Sequence, residues 1–446
     1  MEDRNALDIP ESREDFAEVL EVAALAGHVL LENGAEISRV EDIMSRIATH
    51  YGVDSGNFFV LSNGIFTTGS GGSRSSVMGK VGKAGGQART YANVEFIPLR
   101  SIQLQKVVEV NRLSYAIAAG DCSLSQARSR LERIKDMPMK PAYERVLGSA
   151  FGAAGFCAVF GGGFLDCAAD FVVGGILALY TILVSSHWLS KIVGDISNAL
   201  VATVLCIAFY RLGFGASLGN IVIGAIMPLI PGVPFVNGVR DLANSDYLAG
   251  ITRLTDAMLS FLCVALGVTF GFMLDGWMAG GLIELTGMAS SAETEALLIQ
   301  TLAAFVGTTA FAVLFGVPRN EYTICGVIGA LGWAAYLMMA RFGGAQAVIA
   351  VLLSTFIICV LSRLAAVWRK CPATLFLLCG IFPLVPGAGI FWFTYYTTTS
   401  QIGLALSTGF TAVKAAIAIV LGIILAMELP QRLFSRRRGT SRGEVH

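Results

Sequence analysis

The chain has 446 residues, 54% hydrophobic and 14% charged, with a mean hydropathy of +0.66 and no formal net charge. Charged residues approach a quarter of an ordinary soluble protein, so this composition excludes a soluble globular chain, and the zero balance gives no sign of a nucleic-acid partner. Residues 1–145 hold 36 of the 64 Asp, Glu, Lys and Arg, which predicts a polar segment followed by a membrane domain. The Met-Glu-Asp-Arg start lacks the apolar run of a signal peptide, so the polar segment is expected to stay in the cytosol.

Apolar residues recur at helical spacing over 14–32 and 36–51, with Gly34 between them as a helix stop. Residues 58–61, 64–69 and 89–98 read as short strands, and 103–119 and 123–135 as helices, which predicts a small cytoplasmic α+β domain over 1–140. The linker KDMPMKPAYER carries Pro138 and Pro141 at the join to the membrane part. His28, Glu36, Arg39 and Glu41 form the polar cluster of this domain, with Arg39 expected to pair with Glu36 or Glu41 across the helix hairpin. His28 and Glu32 stand one turn apart, a spacing that suits a metal or an acid–base pair. No second His follows at i+4 and no Ser or Cys has a nucleophile motif around it, so neither a metal, a cofactor nor an enzyme activity is expected. SGGSRSSVMGKVGKAGG (70–86) lacks G-x-x-x-x-G-K-[ST] and reads as a hairpin tip, not a phosphate loop. A regulatory or gating role is the expectation for the domain.

A span needs about 20 mainly apolar residues. Ten stretches qualify: 146–165, 169–186, 194–212, 217–236, 254–275, 297–316, 321–340, 345–366, 372–393 and 407–428. Of the fifteen Lys and Arg after residue 145, twelve fall where a ten-span chain with both termini inside puts cytoplasm; Arg211, Arg341 and Lys414 are the exceptions. The long loop 276–296 has Glu284, Glu293 and Glu295 and no basic residue, as the positive-inside rule asks of an outer loop. Most of the nine cysteines lie in apolar runs with no C-x-x-C spacing and read as buried free thiols.

MPLIPGVPFV (227–236) and FPLVPGAGIF (382–391) are the same device, with Pro228 and Pro383, Pro231 and Pro386, and Gly232 and Gly387 each 155 positions apart. The offset recurs in FGGGFLD (160–166) against FGVPRNE (315–321) and in VVGG (172–175) against VIGA (327–330). Spans one to five thus read as a copy of spans six to ten. Five is odd, so the copies are expected to be inverted, over 141–280 and 281–430, with a basic cytoplasmic tail at 431–446. Pro and Gly at membrane depth free backbone groups that must be satisfied, so both P-L-x-P-G elements predict broken helices able to hold a polar solute. Pro228, Pro231, Gly232, Asn237, Pro383, Pro386 and Gly387 are the candidate binding residues, together with Lys414, which suits either a substrate carboxylate or an ion pair such as one with Asp256. Asp170, Asp195 and Asp256 are candidates for a coupling proton.

LAGHVLLENGAEISRVEDIM (25–44) and PLIPGVPFVNGVRDLANSDYLAGITRL (228–254) resemble the N-terminal domain of the bacterial threonine/serine exporter family. LFGVPRNEYTICGVIGALGW (314–333) and CPATLFLLCGIFPLVPGAGIF (371–391) resemble that family's second, smaller membrane domain, fused here to the first. The resemblance implies proton-driven efflux of threonine or serine across the inner membrane. A related split-chain branch is associated with succinate export, which keeps a C4 dicarboxylate as the alternative. A channel and a membrane-bound hydrolase are the rival readings, and a homo-oligomer is compatible with the chain.

Overall fold

The computed structural model describes residues 13–71, 89–97, 102–281, 283, 285, 297–344 and 346–430. The expected hairpin tip beyond Gly71, most of the loop 276–296 and the basic tail lie outside the described residues.

Helices α1 (Arg13–Glu32) and α2 (Ile37–His50) meet at a corner where Gly34 has φ 83, a left-handed conformation open to glycine at no steric cost. Along α2, Ile37, Val40, Ile43, Met44 and Ile47 recur at three- and four-residue spacing, and all are buried. They face an antiparallel sheet of β1 (Asn57–Leu61), β2 (Gly64–Gly71) and β3 (Arg89–Phe96), in that order. Val60 opposes Ile65 on the buried face, whereas Phe59 opposes Phe66 on the exposed one. Helices α3 (Leu104–Ala118) and α4 (Leu124–Lys135) complete the layer, α4 opening on a capping box between Ser123 and Gln126. The expected strands and helices of this part stand within a residue or two of their places, strand β2 running slightly longer.

The membrane part comprises α5 (Ala142–Val159), α6 (Phe164–Tyr180, extended by a π-turn to Trp188), α7 (Lys191–Arg211), α8 (Leu218–Ile226), α9 (Gly232–Ala243) and α10 (Tyr247–Ala279). It continues with α11 (Leu297–Leu314), α12 (Tyr322–Leu337), α13 (Ala347–Arg369), α14 (Ala373–Gly380), α15 (Gly387–Thr398) and α16 (Ile402–Met427). Among the described residues, seven helices are long and apolar enough to cross a membrane, and nine if each of the bent pairs α8–α9 and α14–α15 is one span. Sequence reading counted ten. The difference is α5, whose 18 residues include Glu144, Arg145 and three glycines and so fall short on apolarity. Its end also moves: the expected span ran to 165, but the chain turns at Gly161, φ 91, and a new helix starts at Phe164.

Helix boundaries recur at the offset of 155. Helices α5 and α11, α8 and α14, and α9 and α15 start at equivalent positions. Helices α5 and α11 cross each other through small residues, so close that a methyl group at Gly155 would lie 2.8 Å from the backbone nitrogen of Gly307. Beside that crossing Phe156 meets Phe311, its own equivalent, edge to face at 4.9 Å. The N-terminal domain docks on the bundle through backbone: the first amides of α3, Leu104 and Gln105, donate to the carbonyls of Phe315 and Gly316 at 2.9 Å, satisfying both helix ends.

Helix α10 lies against α7 at Gly267, where a methyl group would stand 2.3 Å from the Ile196 carbonyl oxygen; at the equivalent Gly422 on α16 it would stand 2.7 Å from the Leu352 carbonyl oxygen of α13. Gly267→Ala and Gly422→Ala are each expected to lower stability by about 1–3 kcal/mol through overpacking, read as a fall in the unfolding midpoint in detergent. Gly403→Ala, with open space around it, is the control and should leave the midpoint in place.

Candidate functional site

Each P-L-x-P-G element makes the same local structure, and every residue in it has a reason. Pro228 and Pro383 sit in the first positions of short 3-10 turns, Met227–Leu229 and Phe382–Leu384, where a missing N–H costs nothing. Pro231 (φ −77, ψ 55) and Pro386 (φ −75, ψ 47) are the central residues of inverse γ-turns. The turns are closed by Gly232 N–H to the Ile230 carbonyl at 2.8 Å and by Gly387 N–H to the Val385 carbonyl at 2.7 Å. The prolyl ring presets φ for such a turn. The helices then restart, bent by 59° at the first break and 40° at the second.

The two breaks touch reciprocally. A methyl group at Gly232 would lie 2.6 Å from the Phe382 ring, and one at Gly387 would lie 2.4 Å from Ile230 and 2.8 Å from the Met227 sulfur. Met227 and Phe382 are equivalents at the 155 offset, as are the two glycines, so each break inserts the same side-chain position over the other's glycine. Glycine is required at both places because the partner side chain occupies the space of a Cβ.

From the breaks, α9 runs to the end of the bundle that meets the N-terminal domain, and α15 runs to the opposite end. Their chemistry differs. Asn237, Arg240 and Asp241 on α9 take the positions that Trp392, Tyr395 and Tyr396 take on α15. At the first end the α1–α2 corner is bound by a buried polar cluster. Glu36 Oε2 lies 2.6 Å from Arg240 Nη2, Arg240 Nη1 donates to the Thr374 hydroxyl at 2.6 Å, and Arg39 closes on Glu36 at 3.1 Å. Arg253 of α10 joins Asp241 at 2.9 Å and donates to the Ala35 carbonyl at 2.9 Å. The Asp241 carboxylate accepts from Ile37 N–H at 3.2 Å, and Asn237 Nδ2 donates to the Gly34 carbonyl at 2.8 Å. Burial alone would raise the Glu36 carboxyl, but Arg240, Arg39 and Arg253 together hold it below the ordinary carboxylate range. Desolvating such charges costs several kcal/mol per ion, so the cluster is tolerable only because each charge has a partner.

At the opposite end the closure is aromatic. Phe391 and Trp392 pack edge to face at 5.3 Å, and Trp392 and Tyr396 stack at 5.4 Å. Tyr395 donates to the Ile283 carbonyl at 3.0 Å and accepts from Leu285 N–H at 2.7 Å.

The remaining sequence candidates are dispersed. Asp170 of α6 is fully buried, and neither carboxylate oxygen finds a well-formed hydrogen bond; the Cys157 thiol, a weak donor, is the polar side chain that reaches it. Gly224 of α8, less than one turn before the first break, gives it room, since a methyl group there would lie 2.0 Å from Asp170 Oδ2. Asp256 pairs with Lys191, and Asp195 stands one turn along α7 from that lysine, facing Ser260. Lys414 lies exposed on α16 and forms no ion pair among the described residues, so neither the breaks nor Asp256 are its partners here. His28 bonds Glu95 at 2.7 Å, which lowers the Glu95 carboxyl, while Glu41, raised by burial, accepts from Val60 N–H at 3.1 Å. Among the described residues no cluster of three or more His, Cys, Asp or Glu is placed to hold a metal. Sequence reading missed Arg240, Asp241, Arg253 and Thr374. It used the two arginines only as markers of topology, although both stand where an apolar helix continues.

A family model described as "Putative threonine/serine exporter" matches residues 21–275, and a second, "Threonine/Serine exporter, ThrE", matches 300–428. A protein named "Threonine/serine exporter" from Corynebacterium glutamicum is 22% identical over 94% of this chain and 83% of its own. The "Probable threonine/serine exporter" of Mycobacterium tuberculosis is 24% identical over 74% of this chain and 64% of its own length. The "Probable succinate transporter subunit YjjP" of Klebsiella aerogenes is 24% identical over 56% of this chain and 92% of its own. No solved structure matches. With family models covering both halves of the membrane part and most of the N-terminal domain, the chain belongs to the threonine/serine exporter family of membrane transporters.

Proposed function

We propose that the chain is a secondary transporter exporting small hydrophilic metabolites, threonine and serine first, across the inner membrane under the proton gradient. The observation that carries the reading is the reciprocal contact of the two Pro-Gly breaks, each seating its glycine under the equivalent side chain of the other. Two related elements that meet this way can exchange conformations, the basis of alternating access in inverted-repeat transporters. Counting α5 as a span, because it packs on α6 and α11 as α11 packs on α12 and α5, gives five spans per half and an inverted second copy. The domain-facing end of the bundle is then cytoplasmic, with both termini inside. The name of the Klebsiella relative favours a C4 dicarboxylate as the second reading.

Asp170 is the residue we assign to the coupling proton. An ionisable group enclosed in the span exchanges a proton only when water reaches it, so its exchange is tied to the movement of what covers it. Its neighbours are the thiols of Cys157, Cys167 and Cys206, the carboxylate of Asp166 and the methylene of Gly224, and none of them is a cation. Movement of α8 at the first break would change that access, since Gly224 covers the carboxyl.

Counterflow of labelled threonine, serine and succinate in proteoliposomes, with and without a pH gradient, tests the reading; no exchange of any of the three would end it. Pro231→Ala and Pro386→Ala are expected to leave the protein in the membrane, since freeing a proline costs about 1 kcal/mol or less, but to reduce counterflow well beyond any loss of protein. Equal losses of both would assign the breaks to packing. Asp170→Asn should retain counterflow and lose stimulation by the pH gradient. A variant that is still driven by the gradient removes Asp170 from the coupling step.

A further inference from the structure

The carboxylate of Glu36 is held by a guanidinium from one bent helix and, through it, a hydroxyl from the other, yet Glu36 itself belongs to the N-terminal domain. Arg240 Nη2 lies 2.6 Å from Glu36 Oε2, Arg240 Nη1 bonds Thr374 at 2.6 Å, and Thr374 Oγ1 lies 3.5 Å from Glu36 Oε1. The fit is incomplete. Arg240 Nε is buried with no hydrogen-bond partner, so Glu36 meets one prong of the fork and leaves the adjacent donor idle. One turn back on the same face, Asn237 gives its amide nitrogen to the Gly34 carbonyl, and its Oδ1 is buried without a partner as well. Unmade hydrogen bonds of buried polar groups cost about 1–3 kcal/mol each, so an idle donor and an idle acceptor one turn apart call for a ligand.

Resting on the transporter reading, we propose that Arg240, Thr374 and Asn237 form a solute site on the domain-facing side of the breaks, and that Glu36 is its tethered occupant in this state. A free carboxylate engages Arg240 side-on through Nε and Nη2, the bidentate geometry that a side chain tied to the α1–α2 corner does not reach. Asn237 Oδ1 then receives an N–H or O–H from the same molecule, at the separation of two groups on successive turns of one helix face. The ligand class is a small acid carrying its own hydrogen-bond donor, an α-amino acid more than a plain dicarboxylate. Solute entering from this side displaces Glu36, and departure of the corner from Arg240 also releases Gly34 from Asn237. The N-terminal domain thereby becomes the lid of the site it fills.

The test uses the full chain in detergent, with binding of L-threonine and of succinate followed by calorimetry and thermal shift. Glu36→Gln removes the competing charge and should bind L-threonine about tenfold more tightly, the change expected if the free site rises from about a tenth of the population to nearly all of it. Arg39→Gln, which loosens the hold on Glu36 without touching Arg240, should shift affinity in the same direction and covers the case in which Glu36→Gln fails to fold. Adding Arg240→Lys to either variant should abolish the gain. Unchanged affinity in a folded Glu36→Gln or Arg39→Gln protein overturns the proposal, as does a gain that survives Arg240→Lys. A gain for succinate alone overturns the assignment of Asn237 and of the amino-acid class. Binding that behaves as expected without counterflow would leave this site standing and defeat the transporter reading, whereas counterflow with unchanged affinities would do the reverse.

Discussion

Backbone that is broken inside an apolar medium must satisfy its own hydrogen bonds, and this constraint shapes the whole membrane part. A helix cannot simply stop at mid-depth, because each exposed N–H or C=O would cost several kcal/mol. The P-L-x-P-G element meets the constraint with the smallest possible means. The first proline enters a 3-10 turn in which it owes no donor, the second closes a three-residue turn, and the glycine restarts the helix under a neighbour's side chain. The break is therefore hydrogen-bonded at its centre, yet bent enough to aim two half-helices at different ends of the bundle.

Geometry is repeated and chemistry is not. The half-helices α9 and α15 start at equivalent glycines and end at equivalent positions, but one carries Asn237, Arg240 and Asp241 and the other Trp392, Tyr395 and Tyr396. The charged end is matched by Glu36 and Arg253 and by the carbonyls of the α1–α2 corner, and the aromatic end closes on itself. The contacts that hold the two ends therefore differ in kind, paired charges on one side and stacked rings on the other, so the stability of each closure answers to different conditions: the first to ionic strength and pH, the second to apolar packing.

The same asymmetry separates the two buried carboxyls of interest. Asp170 has no cation among its neighbours, and its equivalent at the 155 offset is Cys325, a thiol in place of the acid. Glu36 is surrounded by three arginines and stays ionised at any pH near neutrality. Its contribution to docking is complete above the ordinary carboxylate range and is lost only as pH falls through its depressed value.

Sequence by itself determined the mostly helical membrane class, the helical periods of the N-terminal domain, the positions of the breaks and the 155-residue offset between them. These features follow from local properties: apolar length, residue spacing, and the backbone chemistry of proline and glycine, which act within a few residues. It also picked out the few charged residues of the membrane part without telling a solvated one from a buried one, so Asp170, Asp195 and Asp256 stood as equal candidates and Lys414 was open to two roles. Only the tertiary structure decided among them, by placing Asp256 against Lys191, Lys414 on an outer face and Asp170 in the interior. It also brought Glu36 to Arg240, 204 positions away, and Arg240 to Thr374, a further 134. Ion pairs over such separations leave no periodic trace in a chain, because their energy depends on burial and distance in space, and neither is set until the helices have packed.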